Sequence, residues 1–576
     1  MNNVQIADSF DQVADLLEFQ GANPFRIRAY RNGARTLRDL AEAVELILDD
    51  PDRTLTEIDG IGKDLAEKCG ELVATGQLSM LDELLAEIPG SVLDMLRIPG
   101  LGPKKAAVLY NELGISTLAQ LQQACDAGDV RQLKGFAAKT ELAILDGIRI
   151  AEAANQRILW SHADTIAQEL LDHMRECRGI EQMQMAGSYR RGRETVGDLD
   201  LLVVSVDTDE VMDRFEEFPR RASTIARGGT KMSLRLESGL AVDLRVVPAE
   251  SFGAALQYFT GSKDHNVVLR GQAKARGLKV NEYGVFRTDG EHEEYVAGAA
   301  EAEVYAALDL PVFAPELRED RGEFRLANEG RLPELIEVED IRGDLHMHTT
   351  ESDGKATLEE MVSAARQLGL KYIAITDHSQ RVSMAGGLNP QRLLQQWEAI
   401  DALNDSLGKG FTVLKGIECD ILEKGGMDLP DDVLRQGDWV IASVHYGQKQ
   451  SRQQITDRIV GALRNPHVAV VAHPTGRLLN RREPYEVDLD AVFQAASEQG
   501  KLLELNANPQ RLDLNDVYCA AARDKGIPIV ISTDAHSVAG LDALRYGILQ
   551  ARRGGLSKKD VANTRTWPQL KKLLGR

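Results

Sequence analysis

The chain has 576 residues, 43% of them hydrophobic, which at about 100 to 200 residues per domain predicts three to five domains with buried cores. No stretch approaches the roughly 18 uninterrupted apolar residues of a membrane span, and the opening MNNVQIADSF has no charged segment leading into an apolar one, so a cytoplasmic location is expected by default. The five cysteines are odd in number, scattered and never spaced C-x-x-C, which argues for reduced core residues rather than disulfides or a cysteine metal site.

In chain order, residues 1–90 are helical by period. Val13, Leu16, Leu17 and Phe19, then Leu37, Leu40, Val44, Leu46 and Ile47, recur every three or four positions along one helix face. Two short glycine hairpins follow about forty residues apart, Ile58–Lys63 (IDGIGK) and Ile98–Lys104 (IPGLGPK), each opening a helix. Backbone N–H groups at such turns suit an anion and read no bases, so Gly60, Gly62, Lys63, Gly100, Gly102 and Lys104 are candidate DNA-backbone contacts. No G-K-[ST] follows either hairpin, which excludes a Walker A loop. Both hairpins resemble helix-hairpin-helix DNA clamps, and they divide this region into 1–90 and 91–145.

The stretch Gly187–Asp200, GSYRRGRETVGDLD, runs into the apolar tail Leu201 to Val204 and reads as a glycine turn feeding a strand. Side chains alternate along a strand, so Asp198 and Asp200 project to one face while Leu199 and Leu201 enter the core. Carboxylates held so close repel unless divalent cations lie between them, and hard oxygen ligands suit Mg2+ or Mn2+. Gly187 and Ser188 offer a tight turn, and Arg190, Arg191 and Arg193 offer forked donors matching phosphate oxygens. The combination points to nucleotidyl transfer.

This string resembles the nucleotidyltransferase signature of the family X DNA polymerases, G-S-[FY]-R-R-G followed by G-D-x-D. The resemblance implies a third carboxylate, Asp243 in LAVDLRVV (Leu240–Val247), completing a catalytic set with Asp198 and Asp200 that holds two Mg2+ or Mn2+ ions. Ala241 stands where the family often has arginine. LQYFTGS (Leu256–Ser262) matches the family's Y-F-T-G-S turn, which places Tyr258, Phe259, Gly261, Asn266 and Arg270 around the incoming nucleotide and Gly187, Ser188, Arg191 and Gly197 on its triphosphate. Lys263 replaces an aspartate of the vertebrate members. In DLAEK (Asp64–Lys68), Lys68 matches the Schiff-base lysine of lyase-active relatives, a role that requires a neutral amine. A catalytic palm is thereby expected over 146–250, alternating helix and strand, a nucleotide-selecting subdomain over 251–315, and an acidic, proline-containing linker over 316–340.

Charge complicates a DNA-binding reading. Residues 1–340 hold 38 basic against 60 acidic residues, net −22, whereas 341–576 hold 30 against 29, net +1. Local windows run the other way: Pro24–Arg38 carries five arginines and no acid, Arg220–Arg235 carries four arginines and Lys231, and 261–280 has five cations against one aspartate. Charges beyond about 10 Å are screened at physiological salt, so these windows, Lys231 among them, are the candidate DNA-facing patches.

From Ile341 one pattern repeats seven times, a short apolar strand ending in metal-ligand residues: GDLHMHT, YIAITDHS, VLKGIECDI, WVIASVHY, VAVVAHPT, LLELNAN and IVISTDAH. Strands alternating with helices predict a parallel α/β barrel with its chemistry at the carboxyl ends of the strands. His346, His348, Asp353, His378, Glu418, His445, His473, Asp534 and His536 fall there, and six of the eleven histidines are among them, as a metal cluster requires. This half resembles the polymerase and histidinol phosphatase (PHP) domain, a distorted seven-stranded (β/α)7 barrel binding up to three Zn2+ or Mn2+ ions, and all nine of its ligand positions are filled in 341–576. Arg477 and Arg511 are candidate phosphate contacts.

The order of the resemblances matches the bacterial family X DNA polymerases with a C-terminal PHP domain. The expected fold is multidomain α/β: helical helix-hairpin-helix domains, an α+β nucleotidyltransferase palm and the barrel. The expected function is filling of short gaps in base excision repair on gapped or primed DNA with dNTP substrates, by a monomer that needs no membrane. A metal-dependent 3'-5' exonuclease accompanies it, with cleavage at abasic sites as a further activity. The alternative is a polymerase whose barrel is a small-molecule phosphatase or mainly structural.

Overall fold

The apolar period of the first segment closes into antiparallel helices, beginning with Asn3–Phe19 and Pro24–Asp39, whose inward faces bury Phe10, Val13, Leu16, Leu17, Tyr30 and Leu37. In this computed structural model the described residues are all but 2, 41, 97, 99, 100, 138, 139, 143, 146, 147, 149–156, 290, 291 and 576. Two units emerge, 1–156 and 157–576. Within the first, Ile61 of one hairpin and Ile98 and Leu101 of the other sit in the same hydrophobic cluster, so the segments read as separate from sequence share one core.

The second unit opens with strands β1 (Ile158–Leu159), β2 (Ile180–Met185), β3 (Thr195–Val196), β4 (Asp198–Ser205), β5 (Arg221–Arg227), β6 (Lys231–Leu236) and β7 (Ala241–Val246). β1 pairs with β3, and the order β2-β4-β7-β6-β5 forms a sheet in which β4 and β7 run parallel and the other neighbours antiparallel. The alternation of β4 works as predicted. Leu199, Leu201 and Val203 are fully buried with the apolar faces of helices Trp160–Arg175 and Thr208–Glu216, leaving Asp198 and Asp200 on the opposite face.

Strands β8 (Leu278–Asn281), β9 (Gly284–Asp289) and β10 (His292–Ala297) make a small antiparallel sheet beside helices Phe252–Thr260 and Lys263–Ala275. Residues 316–340 differ from the expected linker: Phe324 joins the core of this subdomain with Tyr305 and Phe313, and Arg318 is 1% exposed, its guanidinium donating to the Phe313 carbonyl at 3.0 and 2.8 Å. Three acids of this segment, Glu316, Glu319 and Glu323, are buried, each with a basic partner: Arg552, Arg553 and His265.

The last seven strands, β11 (Gly343–Asp344), β12 (Tyr372–Ile375), β13 (Thr412–Asp420), β14 (Trp439–Ser443), β15 (Val468–Val471), β16 (Leu502–Asn506) and β17 (Ile529–Ser532), pair in chain order, all parallel. Their continuous Val, Ile and Leu runs suit strands covered on both faces. A parallel bridge between Met347, beyond β11, and Ala535, beyond β17, brings the first and last strands together.

The barrel is packed against the palm through buried polar contacts. The Gln550 amide donates to the Gly192 carbonyl at 2.9 Å and Arg553 to the Arg191 carbonyl at 2.8 Å, both from helix Leu544–Arg553. Gly192 has φ +66° and a Cβ there would lie 2.4 Å from Leu549 Cγ, so both its backbone conformation and the close approach of the helix require glycine.

Candidate active sites

In the palm, β4 and β7 are registered so that Asp200 stands beside Asp243 and Asp198 beside Ala241, bringing all three expected carboxylates to one face. Burial, then the charges of Asp198 and Asp243, pushes Asp200 up to about 7, the response of a carboxyl crowded by others of its kind. Lys231 lies 2.9 Å from Asp243, so this residue, read as a DNA contact, faces the carboxylates from β6, where it is paired in register with Arg245. A cluster of three carboxylates with one cation suits divalent ions. Gly187, at φ +67°, lies against the set: a Cβ would be 2.3 Å from Asp200 Oδ2.

The arginines beside that turn are not free for phosphate. Arg190 donates to Glu301 at 2.9 and 2.7 Å, and Arg191, 9% exposed, donates to Glu319 at 3.0 Å and to the Thr260 carbonyl at 2.8 Å. Buried guanidinium groups need such partners, and these come from more than 60 residues along the chain, beyond the reach of a local reading. Arg193 is exposed, as is Gly197, and Ser188 is partly exposed at the turn.

Tyr258 and Phe259 are half-buried at the end of helix Phe252–Thr260, in edge contact at 5.1 Å, with the Arg245 guanidinium 4.4 Å from the Phe259 ring centre. Gly261 breaks the helix, and Ser262 caps the next by accepting from His265 N at 3.1 Å. Asn266 donates to the carbonyls of Tyr258 at 2.7 Å and Gly261 at 3.2 Å and accepts from Gln257 at 2.9 Å, so it shapes the YFTGS turn with its whole amide. Arg270 donates through Nε to the Asn266 carbonyl at 3.1 Å.

The barrel draws all nine expected ligands to the carboxyl ends of its strands. His348, Asp353, His378 and His536 form one group able to hold a metal, His346, His348 and Asp534 a second, and His378, Glu418 and His445 a third. His473 Nε2 lies 3.0 Å from Glu418 Oε1. His346 Nε2, His348 Nδ1, His473 Nδ1 and Glu418 Oε2 are buried without a hydrogen bond, atoms that would be costly in this interior unless cations take them, so the donor set fits the metal ions expected of it. Burial would raise Glu418, but His378, His445 and His346 hold it well below the ordinary carboxylate range. Burial and Arg511 push His473 down to about 3, the neutral form a ligand needs. His473 and Asp534 have φ of +31° and +54°, strained values that cluster where a site fixes side-chain direction.

The sequence reading missed the residues behind these ligands. Glu504 accepts from His346 Nδ1 at 2.7 Å, which turns Nε2 toward Glu418 and Asp534, and Asp420 lies 3.2 Å from His445 Nδ1. Both were visible in the same strings, in LLELNAN and ECD. Asp377 accepts from Thr349 N at 2.8 Å and from its hydroxyl at 2.6 Å, which anchors the loop carrying Asp353. Arg511 lines the cavity 3.5 Å from Asp534, whereas Arg477 is buried on Glu194 at 2.7 Å and holds no open phosphate site.

Family models match this chain as DNA polymerase beta palm over 157–229, DNA polymerase beta thumb over 255–319, PHP domain over 344–508, a helix-hairpin-helix domain over 1–78 and a SAM-like helix-hairpin-helix tandem over 92–149. The chain is 40% identical over 585 aligned positions to the DNA polymerase/3'-5' exonuclease PolX of Bacillus subtilis (strain 168), all of both chains being covered. It belongs to the family X DNA polymerases that carry a PHP domain. Partial matches include a probable phosphatase of Thermoanaerobacter sp. (strain X514), 28% identical over 38% of this chain and 89% of that one. Another is a probable phosphatase of Acetivibrio thermocellus, 30% identical over 34% of this chain and 78% of that one.

In this family X polymerase the first hairpin has Gly60 at φ +90° with exposed Gly62 and Lys63, Gly62 standing as the cap of helix Lys63–Thr75. In the second, Gly102 caps helix Pro103–Leu113 with Lys104 exposed, while Gly100 lies outside the described residues. A third hairpin escaped the sequence reading. Gly135 at φ +93° repeats Gly60, and Phe136 N donates to the Leu133 carbonyl at 3.0 Å as Ile61 does to Ile58 and Leu101 to Ile98, each at 3.0 Å. Its string LKGFAAK lacks the second glycine by which the other two were found.

Lys68 has no neutralising surroundings. Burial would lower its amine, but Asp64 at 2.5 Å and Tyr30 raise it, which keeps it protonated and opposes the nucleophile role. The arginine-rich windows are in part matched by acids: Arg31 and Arg38 pair with Asp11, Asp15 and Asp8 of helix Asn3–Phe19, and Arg220, Arg221 and Arg227 with Glu169, Glu216 and Asp213. No helix among the described residues is long and apolar enough to cross a membrane.

Proposed function

We propose that the chain fills short gaps in DNA repair, adding dNTPs at a primer end, and that its barrel is a separate 3'-5' exonuclease. Support for the first activity rests on the register that sets Asp200 beside Asp243 on one face with Asp198, in a chain matched end to end by a DNA polymerase/3'-5' exonuclease. These carboxylates would hold two Mg2+ or Mn2+ ions, which when bound orient the triphosphate and offset the charge of an in-line displacement. Gly187 lets the turn bearing Ser188 approach Asp200, and Tyr258 and Phe259, backed by Arg245 and fixed by Asn266, take the sugar and base of the dNTP. Lys231 offsets charge on Asp243.

The barrel would hold up to three Zn2+ or Mn2+ ions on its nine ligands, supplying Lewis-acid chemistry at a phosphodiester. Glu504 and Asp420 orient His346 and His445, and Arg511 offers a cation to a phosphate. The protein acts as a cytoplasmic monomer on gapped or primed DNA, and abasic sites are a second class of target for the barrel. The second reading, a small-molecule phosphatase in the barrel, is favoured by the probable phosphatases among the partial matches.

A double dissociation decides between them. Removal of nucleotides from a labelled primer is expected to vanish in the His346→Ala, His348→Ala double variant with gap filling kept, and to survive in Asp198→Ala, Asp200→Ala with gap filling lost. If both folded variants lose both activities, the sites are not independent. If the wild type hydrolyses phosphomonoesters and never shortens a primer, the phosphatase reading holds.

A further inference from the structure

The cavity at the barrel's mouth, of about 440 Å3, falls within the roughly 300–1,000 Å3 of sites that enclose a whole organic ligand and exceeds what a bare phosphate occupies. Its wall is not polar throughout. Beside the metal-ligating residues it is lined by Val382, Met384, Ala385 and Tyr446, with Arg511 as its cation. Met384 is 94% exposed, the most exposed large apolar side chain among the described residues, so nothing in the protein covers it.

The chain ties down the backbone that carries this surface. The loop that follows His378 is tied back by the Leu388 amide donating to the His378 carbonyl at 2.7 Å and by Arg381 N donating to Asp428 at 2.7 Å. Gly387 closes it: a Cβ there would lie 2.0 Å from the Ser379 carbonyl oxygen. Tyr446 directly follows His445, its carbonyl accepts from Arg458 at 2.9 Å, and the Arg381 guanidinium sits 4.5 Å from its ring centre. The Tyr446 ring is thus held beside the ligand cluster, and the backbone of the loop that carries the exposed Met384 is tied to it. An exposed thioether and a held aromatic ring beside a phosphodiester-cleaving centre match one ligand chemistry, the flat face of a nucleobase, which stacks on aromatic groups whatever its sequence.

We propose that Met384 and Tyr446 form a shelf for the base of the 3'-terminal nucleotide, with Arg511 on the adjoining phosphate, so that the barrel selects a strand end over a free phosphate ester. The inference rests on the exonuclease reading and names the substrate subsite of that centre. A matched pair of chromogenic substrates isolates the shelf: the p-nitrophenyl ester of thymidine 5'-monophosphate carries a base, and p-nitrophenyl methyl phosphate does not. In the full-length protein, Tyr446→Ala and Met384→Ala should raise KM for the thymidine ester and for a labelled primer by about 5- to 100-fold, the range of one lost stacking contact. Turnover of the methyl ester, bound metal content and gap filling should stay within about twofold. Tyr446→Phe, which keeps the ring, should behave as wild type. If the wild type cleaves primers but both alanine variants keep its KM for the thymidine ester, or lose the two esters equally, the shelf is wrong; if the wild type cleaves no primer, the exonuclease reading falls instead.

Discussion

Replacement of Gly187 by alanine tests the palm geometry at its tightest point. Two penalties follow from the structure. At φ +67° an alanine pays the left-handed cost of about 1–2 kcal/mol, and its Cβ would stand 2.3 Å from Asp200 Oδ2 and 3.3 Å from Cγ. An ordinary contact needs about 1 Å more, and moving a group of the carboxylate set by that much costs on the order of 100-fold in rate, because any ion it holds would move with it. The backbone penalty lowers stability by a few degrees in Tm at most for a unit of this size. Single-turnover insertion into a one-nucleotide gap, at saturating dNTP, should therefore fall by about 100-fold or more while primer degradation by the barrel, measured on the same protein, stays within about twofold. Insertion within about threefold of wild type would refute the placement of this turn against the metal-binding carboxylates.

Two further outcomes follow from other parts of the molecule. Burial would raise Glu319, but Arg553 and Arg191 hold it down to about 2, so its contribution to stability is present above its ordinary value near 4.5 and is lost as pH falls from there toward 2. In urea unfolding across that window, Glu319→Gln should show a shallower dependence on pH, by about one proton, and an unchanged slope would remove Glu319 from the seam's energetics. Lys63→Ala and Lys104→Ala should each weaken binding to gapped DNA equally for all sequences and lower the salt slope by about one; a sequence-selective loss would mean that the hairpins do not clamp phosphates.

How much was legible in the sequence depended on how local each feature is. Eight of the nine barrel ligands could be read because they lie within the strand-end strings, with Asp353 four residues beyond the first, and parallel strands in chain order carry those ends to one place. Asp198 and Asp200 follow from strand alternation alone, whereas Asp243 needed the family pattern and Lys231 was assigned to DNA because its partner lies on another strand. Arg190 and Arg191 look like phosphate donors until Glu301 and Glu319 arrive from beyond residue 300. The basic windows overstate free charge for the same reason, since a count along the chain cannot include acids from a neighbouring helix. Glu504 and Asp420 were hidden differently: an acid within an apolar strand resembles one more ligand, and its place behind a histidine is set by the ring it meets.

These buried pairs change what the arginine-rich turn is for. Arg477, four residues beyond His473, places both guanidinium nitrogens on Glu194, at 3.3 and 2.7 Å, and Glu194 lies four residues before Asp198. Arg553 spans Glu319 at 2.9 Å, Asp516 at 2.8 Å and the Arg191 carbonyl at 2.8 Å, while Gly192 admits Leu549. A charge left alone in such an interior costs several kcal/mol, on the order of 3–5 when one partner of a buried pair is removed, so the palm without the barrel would expose or strand Arg191, Glu194 and Glu319 together. The loop from Gly187 to Asp200 is consequently shaped on one side by helix Phe252–Thr260 and on the other by helix Leu544–Arg553 of the barrel. Arg191, through its carbonyl and through Glu319, joins the palm to Arg553 of the barrel, Arg190 is held by Glu301, and the backbone turn at Gly187 lies directly against Asp200.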